Sequence, residues 1–314
     1  MSLTVLEPGL ASRIVATGRP RTRSLGVPVG GPADRRSLAL GNSLLGNDPD
    51  AAALEIALTG PSLRAEDDVG CILFGAPFES KVSGPFNQRV LTPFSTFTLH
   101  AGEELRIGGA NVGTRAYLCV VGGFHVPTIL ASQSALEPIR KGEVLSCETS
   151  TIRTRACPDV KPAFPEACTL AALPGLQAAW FDDAEFYAQT FIVRTESNRM
   201  GLRLKGKALT MSAREMISEA VCPGAVQVTP DGQCIVLGVD GQTIGGYPKI
   251  AQVIQADLDT LGQLRPGQAI RFARISLDDA IVLDRRAQAE LRQWTLRLRL
   301  SLDAFPAARK FAST

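Results

Sequence analysis

Along residues 54–58, LEIAL, Leu54, Ile56 and Leu58 fall on one face of an extended chain while Glu55 and Ala57 fall on the other. That period of two predicts a half-buried strand. Residues 97–107, FTLHAGEELRI, read as two strands around a glycine-containing turn. In AVQVTPDGQCIVLGV (225–239), two apolar runs flank Pro230, which presets a turn, and Gly232, which takes positive φ without a Cβ penalty. This is the clearest hairpin in the chain. A short pattern recurs as GEEL at 102, GEVL at 142 and GQAI at 267, each a glycine turn entering a strand. Its irregular spacing speaks for reused local architecture and against a solenoid.

Helical periodicity is confined to two stretches. PADRRSLALGNSLLGN (32–47) has Leu38 and Leu45 at helical spacing, Asp34 near its start and Gly46 at its end. Residues 276–302 form the longest candidate, with Ser276 as N-cap and Ala280, Leu283, Ala287 and Leu291 along one stripe. Between residues 146 and 168 the composition shifts to SCETSTIRTRACPDVKPAFPEAC, rich in proline and without periodicity. Residues 147–167 are therefore expected to link two strand-rich domains, 1–146 and 168–275, with 276–314 as a helical tail.

Composition changes this picture little. A chain of 314 residues is long enough for two domains with real cores. The 33 basic and 31 acidic side chains leave a net charge of +2, so no global field attracts nucleic acid or an anionic membrane. The seven cysteines are scattered and form no C-x-x-C pair, which speaks against a disulfide framework or a four-thiolate zinc site and points to buried thiols in a reducing compartment. The opening MSLTVLEPGL has no secretion signal, and no apolar run reaches the roughly 18 residues of a membrane span. A cytoplasmic protein is expected.

The stretch NRMGLRLKGKA (198–208) imitates a phosphate-binding loop, with Gly201, Gly206 and Lys207 in place. Position 208 is Ala, however, so the metal-binding hydroxyl is absent, and the alternation of Leu202 and Leu204 with Arg203 and Lys205 is that of a strand. His100 and His125 are the only histidines and no G-x-S-x-G elbow accompanies them, so hydrogen-bonded or surface roles are favoured over a triad or zinc site. Cys119, inside YLCVV, reads as a structural thiol. Arg19, Arg21 and Arg23 alternate in RPRTRS, placing three guanidinium groups on one side of an extended chain, either as an anion grip or as a solvated edge. GVDGQTIGGYPK (238–249) combines four glycines with Asp240, Gln242, Thr243, Tyr247 and Lys249. Such a loop forms either an anion-holding backbone nest or a set of tight turns.

Several long segments, in order, resemble the biotin-dependent carboxyltransferase, or allophanate hydrolase subunit 2, family, which includes the C subunit of 5-oxoprolinase. They are LGVPVGGPADRRSLALGNSLLGN, LEIALTGPSL, RAYLCVVGGFHVPTILAS, SNRMGLRLKGKAL, ISEAVCPGAVQVTPDGQCIVLGVDGQTIGGYPKIAQVIQADL and GQLRPGQAIRF. The resemblance implies a mainly β chain with a few helices, built as two cyclophilin-like β-barrel domains. It also implies an allophanate hydrolase subunit 1-like partner and a urea- or lactam-like small-molecule substrate. No biotin-attachment or ATP-binding segment is present, so the chain itself is expected to bind no cofactor; biotin would be presented by a partner and ATP by another subunit.

Two segments depart from the family. Where relatives read QDLGRPG, the Gln-Asp positions are Val15 and Ala16; where they read GSRST, Ala131 and Gln133 are substituted and the loop that follows is shorter. On the family-matching segments, Asn198 and Arg199 are the expected catalytic donors and Glu219 the expected base. Ser218, Gln227, Thr243, Gly246 and Tyr247 are expected to line the substrate site, and no metal is expected. The altered loops keep a second reading open, a non-catalytic binding or regulatory protein that holds the subunit-1 partner.

Overall fold

The stretch around LEIAL folds as a strand, Ala53–Ala57, that is buried on both faces. The expected half-buried strand is thus corrected, because helix Arg35–Leu44 covers the second face. Leu54 and Ile56 face one apolar core, while Ala53 joins Leu38, Leu40, Leu44, Phe74 and Tyr117 in another. Glu55, only 2% exposed, is held by the hydroxyl of Tyr117, which donates to Oε2 at 2.8 Å, and by Arg115 Nε at 3.5 Å. Leu58 leaves the strand with φ of 63°. The structure, a computed structural model, describes residues 2–85, 87–155, 162, 164, 167–211, 214, 216–303 and 308–309.

The chain groups into two units. The first comprises Met1–Gly18, Arg35–Phe164 and Leu291–Thr314. It holds a two-stranded antiparallel sheet, Ser150–Thr151 with Ala308–Arg309, and two large antiparallel ones. One runs, in spatial order, Val144–Ser146, Ser2–Glu7, Ser62–Ala65, Glu104–Ile107, Ser80–Ser83 and Gln88–Val90. The other runs Ala11–Val15, Ala53–Ala57, Arg115–Val120, Val69–Gly75 and Thr96–Leu99. The two strands expected in 97–107 both form but belong to different sheets, so the turn at Gly102 passes the chain from one to the other. Gly102, Gly142 and Gly267 all adopt positive φ two residues before a strand, which is the recurrence seen in the sequence.

The second unit comprises Arg19–Asp34 and Pro165–Glu290. Seven strands close into a barrel: Ala167–Pro174, Lys249–Val253, Ala225–Val228, Cys234–Leu237, Gly201–Lys205, Phe191–Val193 and Ala269–Arg274. Closure comes from the parallel pairing of the last strand with the first. The expected hairpin at 225–239 is present, with Val226 opposite Val236 and Gly232 at φ of 75°. Val226, Val228, Val236, Ile250 and Phe272 fill the barrel, and alternation sends Gln227, between the two valines, to the outer side of the wall. A two-stranded ribbon, Glu219–Ala220 paired with Ile244–Gly245, completes this unit.

The expected linker is only partly visible, since 156–161, 163 and 165–166 lie outside the described residues. Its first part follows strand Thr96–Leu99: Thr96 Oγ1 donates to the carbonyl of Arg153 and Thr98 Oγ1 to that of Ile152. The long helix spans Leu277–Asp303, and Ser276 caps it by accepting from Asp279 N at 3.1 Å. Its covered stripe differs from expectation at one position: Leu283 is exposed. Ala280 is buried, and further along Leu291, Trp294 and Leu298 pack on the core beside helix Arg35–Leu44. Steps of three and four residues put Leu291, Trp294 and Leu298 on one line.

Candidate functional site

The segment that imitates a phosphate loop is a turn and a barrel strand. Asn198 and Gly201 exchange backbone hydrogen bonds, Asn198 Oδ1 accepts from Met200 N at 2.8 Å, and Gly201–Lys205 then enters the barrel. Lys207 pairs with Glu185 instead of facing an open anion site. The turn fixes Arg199, whose guanidinium reaches Asp240 and Gly31. Nε and Nη2 donate to the two carboxylate oxygens of Asp240 at 2.7 and 2.9 Å, and Nη2 also donates to the carbonyl of Gly31 at 2.6 Å. Asn198 is exposed and Arg199 half-buried.

Residues 238–249 join this turn to the rest of the expected site. None of the four glycines takes positive φ, so a backbone nest built on left-handed glycine is absent. Their role is clearance. A Cβ on Gly238 would stand 2.3 Å from the carbonyl oxygen of Arg199, and one on Gly245 would stand 2.4 Å from Gln227 Nε2. The same loop therefore touches the Arg199 turn at one end and the barrel wall at the other. Gly246 lies over Ser218, whose Oγ would be 3.3 Å from a Cβ there. Thr243, buried, accepts from Val221 N through its carbonyl at 3.0 Å, and Tyr247 is 40% exposed.

Glu219 stands at the centre of the second cluster. Lys249 Nζ donates to its Oε2 at 2.8 Å, and Gln177 Nε2 reaches Oε1 at 3.2 Å and Oε2 at 3.4 Å. The hydrogen bond from Lys249 holds the Glu219 carboxyl below the usual carboxylate range; partial burial opposes this and Gln177 adds to it. Gln177 is itself fixed, because its Oε1 accepts from Lys249 N at 3.0 Å and its own N donates to the carbonyl of Lys249 at 3.1 Å. Gln227 lies directly across the sheet from Lys249. It is 1% exposed, yet its Nε2 has no acceptor among the described residues.

Lys249 and Gln177 are the residues that the expected site omitted. Lys249 ends the conspicuous glycine loop, so its type and place carried a signal. Gln177 sits before a short 3-10 turn, Ala178–Trp180, in a stretch without motif or periodicity, and only the fold brings it to Glu219.

The remaining candidates resolve as structural. His100 is exposed with Nδ1 3.3 Å from Asp68, and His125 is exposed. Cys119 is fully buried, and burial pushes its thiol far up. The three arginines do not share a face: Arg19 is buried, Arg21 is exposed at φ of 58°, and Arg23 opens a 3-10 turn. Among the described residues no group of three or more His, Cys, Asp or Glu is placed to hold a metal, and no helix is long and apolar enough to cross a membrane.

The two segments expected to depart from the family pattern are neighbours. Ala16 N donates to Ser134 Oγ and the Ser134 hydroxyl donates back to the carbonyl of Ala16, both at 3.0 Å. Val15 and Ala16 are buried in the cores of the first unit, while Leu130 and Ala131, both at positive φ, form a turn bridged between Ile129 and Ser132. Val15 and Ala16 thus pack as core residues.

Comparison with known proteins agrees with this architecture. The family model described as carboxyltransferase domain, subdomain A and B, matches residues 25–274. The C subunit of 5-oxoprolinase from Escherichia coli is 34% identical over 310 residues, covering 94% of this chain and 98% of that one. Its namesake from Haemophilus influenzae is 33% identical over 305 residues, covering 93% and 97%. In the crystal structure of the K. lactis urea amidolyase, a region amounting to 20% of that chain superposes on 93% of this one, with a TM-score of 0.83 and 26% identity. The chain belongs to the carboxyltransferase domain, subdomain A and B, family.

Proposed function

We propose that this chain is a non-autonomous subunit of a 5-oxoprolinase or urea carboxylase type of assembly, acting on a small lactam- or urea-like substrate. Similarity over nearly the whole chain to proteins named as the C subunit of 5-oxoprolinase supports the substrate class. The observation that carries the reading is the donor cluster of Lys249, Gln177 and the Gln227 amide, which has no acceptor among the described residues. Opening a lactam or loading a ureido nitrogen develops negative charge on a carbonyl oxygen, and fixed donors stabilise that charge.

Asn198 and Arg199 are the donors expected from the sequence. Arg199 spends Nε and Nη2 on Asp240 and Gly31, which suits positioning of the glycine loop better than direct contact. Asn198 is exposed and keeps its side-chain NH2 for a ligand. Glu219, with its lowered pKa, is a weak base, and its proposed part is as an acceptor. Ser218, Gln227, Thr243, Gly246 and Tyr247 remain the proposed lining.

An allophanate hydrolase subunit 1-like protein is the proposed partner, with the two cyclophilin-like domains taken as 1–146 and 168–275, a linker at 147–167 and a tail from 276. ATP would be bound by another subunit. Biotin, where the assembly uses it, would be presented by a partner and would supply the carboxyl group. Its ureido carbonyl is an acceptor suited to the Gln227 and Lys249 donors.

Reconstitution with the subunit-1 partner and the ATP-binding subunit, followed by assays of 5-oxoproline- and urea-dependent ATP hydrolysis, tests this reading. Turnover with 5-oxoproline or urea that falls in Lys249→Met and Asn198→Ala supports it. A stable complex with no turnover on either substrate would favour the binding or regulatory role. One observation speaks for that second reading: the two altered segments meet at Ala16 and Ser134 and present the exposed Ile129 and Leu130.

A further inference from the structure

We infer that Lys249, Gln177 and Gln227 form a cradle for a small ligand carrying a carboxylate and a nearby carbonyl, and that Glu219 is its internal occupant, displaced when the ligand enters. The choice of ligand class rests on the function proposed above; the cradle itself rests on geometry.

The donors belong to the barrel wall. The Lys249 side chain is only 6% exposed and sits at the start of a barrel strand, and Gln177 is tied to the Lys249 backbone through both its amide oxygen and its own N. An ammonium buried to this degree requires an anion beside it. The anion present, Glu219, is 39% exposed and comes from a short ribbon in which Glu219 pairs with Gly245 and Ala220 with Ile244, and which Val221 N extends by a bond to the carbonyl of Thr243. A buried cation of the barrel wall is thus neutralised by a part-exposed carboxylate from a separate ribbon. Lys249 Nζ holds one oxygen while Gln177 Nε2 forks across both, the pattern that would hold the carboxylate of a ligand equally well.

Gln227 supplies the second, independent observation. Its Nε2 is buried without an acceptor, one cross-strand step from Lys249, so the cradle offers one donor more than Glu219 uses. Buried unpaired amides are uncommon and call for a cause. Gly245 seats the ribbon against this amide without providing an acceptor. A ligand whose carboxylate replaces that of Glu219 keeps Lys249 and Gln177 paired, and its lactam or ureido carbonyl gives Gln227 Nε2 the acceptor it lacks. 5-oxoproline has both groups.

The test is calorimetric titration of the full chain, without partners, using 5-oxoproline, 2-pyrrolidinone, which lacks the carboxylate, and acetate, which lacks the carbonyl. Saturable binding of 5-oxoproline, absent for 2-pyrrolidinone, is expected. Glu219→Gln should tighten it about tenfold by weakening the internal competitor, and Lys249→Met should abolish it. Gln227→Leu should weaken 5-oxoproline but not acetate while raising the melting temperature, a pair of changes that a purely structural glutamine would not give. Failure of Glu219→Gln to bind either carboxylate, or binding that survives Lys249→Met, overturns the cradle. Lys249-dependent binding of acetate without binding of 5-oxoproline upholds the cradle and instead overturns the substrate class under the proposed function. Binding of 5-oxoproline with no turnover in the reconstituted assembly upholds the cradle and overturns the enzymatic role.

Discussion

Lys249 Nζ lies 2.8 Å from Glu219 Oε2, joining a side chain that is 6% exposed to one that is 39% exposed. The asymmetry fixes how the pair responds to pH. Glu219 has a folded pKa below its unfolded value, chiefly through the hydrogen bond from Lys249. Its stabilisation is therefore complete above the unfolded pKa and is lost as pH falls through the folded one. Lys249→Met should return the Glu219 titration upward toward the ordinary carboxylate range, read from its side-chain carboxyl carbon shift by NMR. A titration that stays depressed would assign the shift to Gln177 instead.

Arg199 and Asp240 form the fork that connects the Asn198–Gly201 turn to the glycine loop, with a third bond to the carbonyl of Gly31. Lysine keeps the charge but lacks the planar fork. Arg199→Lys is expected to lower stability by about 1–3 kcal/mol, since charge-assisted bonds are broken at a half-buried position. Chemical denaturation of the variant checks this. Asp240→Asn should cost a similar amount, and the double variant less than the sum, because both remove one interaction.

These relationships mark the limit of what the sequence disclosed. Period-two runs located the 225–239 hairpin and the strand around Leu54, and the glycines at 102, 142 and 267 announced strand entries, because backbone sterics act locally. The burial of Glu55 was hidden, since it depends on helix Arg35–Leu44 covering the second face of the sheet. In the candidate site, Arg199, Glu219 and the glycine loop stood out by type and neighbourhood. Gln177 did not, because a glutamine 42 positions from Glu219 joins it only through barrel closure. The alternating arginines misled for a related reason: Arg21 adopts positive φ, so the period of two never applies there.

Glu103 offers a second acid-sensitive contact, in the first unit. Burial pushes its carboxyl up, but the Arg89 fork at 2.5 and 2.8 Å and the His100 N–H at 2.9 Å outweigh this and leave it below the usual range. The folded pKa is thus depressed. The contribution is present above the unfolded value, about 4.3 for glutamate, and fades as pH drops through the folded one. Glu103→Gln should destabilise by about 1–3 kcal/mol at neutral pH and flatten the acid limb of a stability-versus-pH curve. An unchanged limb would show that other carboxylates govern it.

Gly238→Ala tests whether the glycine loop and the Arg199 turn act as one piece. A Cβ at 238 would meet the Arg199 carbonyl oxygen at 2.3 Å and its carbon at 3.0 Å, both backbone atoms with no rotamer to yield. The same residue donates its N–H to the Met200 carbonyl at 2.9 Å, so relief of the clash must pull that bond apart. A loss of about 1–3 kcal/mol is expected from forced packing. Because the displaced turn carries Arg199 away from Asp240, the loss should shrink when Gly238→Ala is placed on Arg199→Ala, where less remains to be broken. Additive losses in that double-mutant cycle would mean that the loop and the guanidinium fork are energetically separate, and the positioning role given to Arg199 would fall.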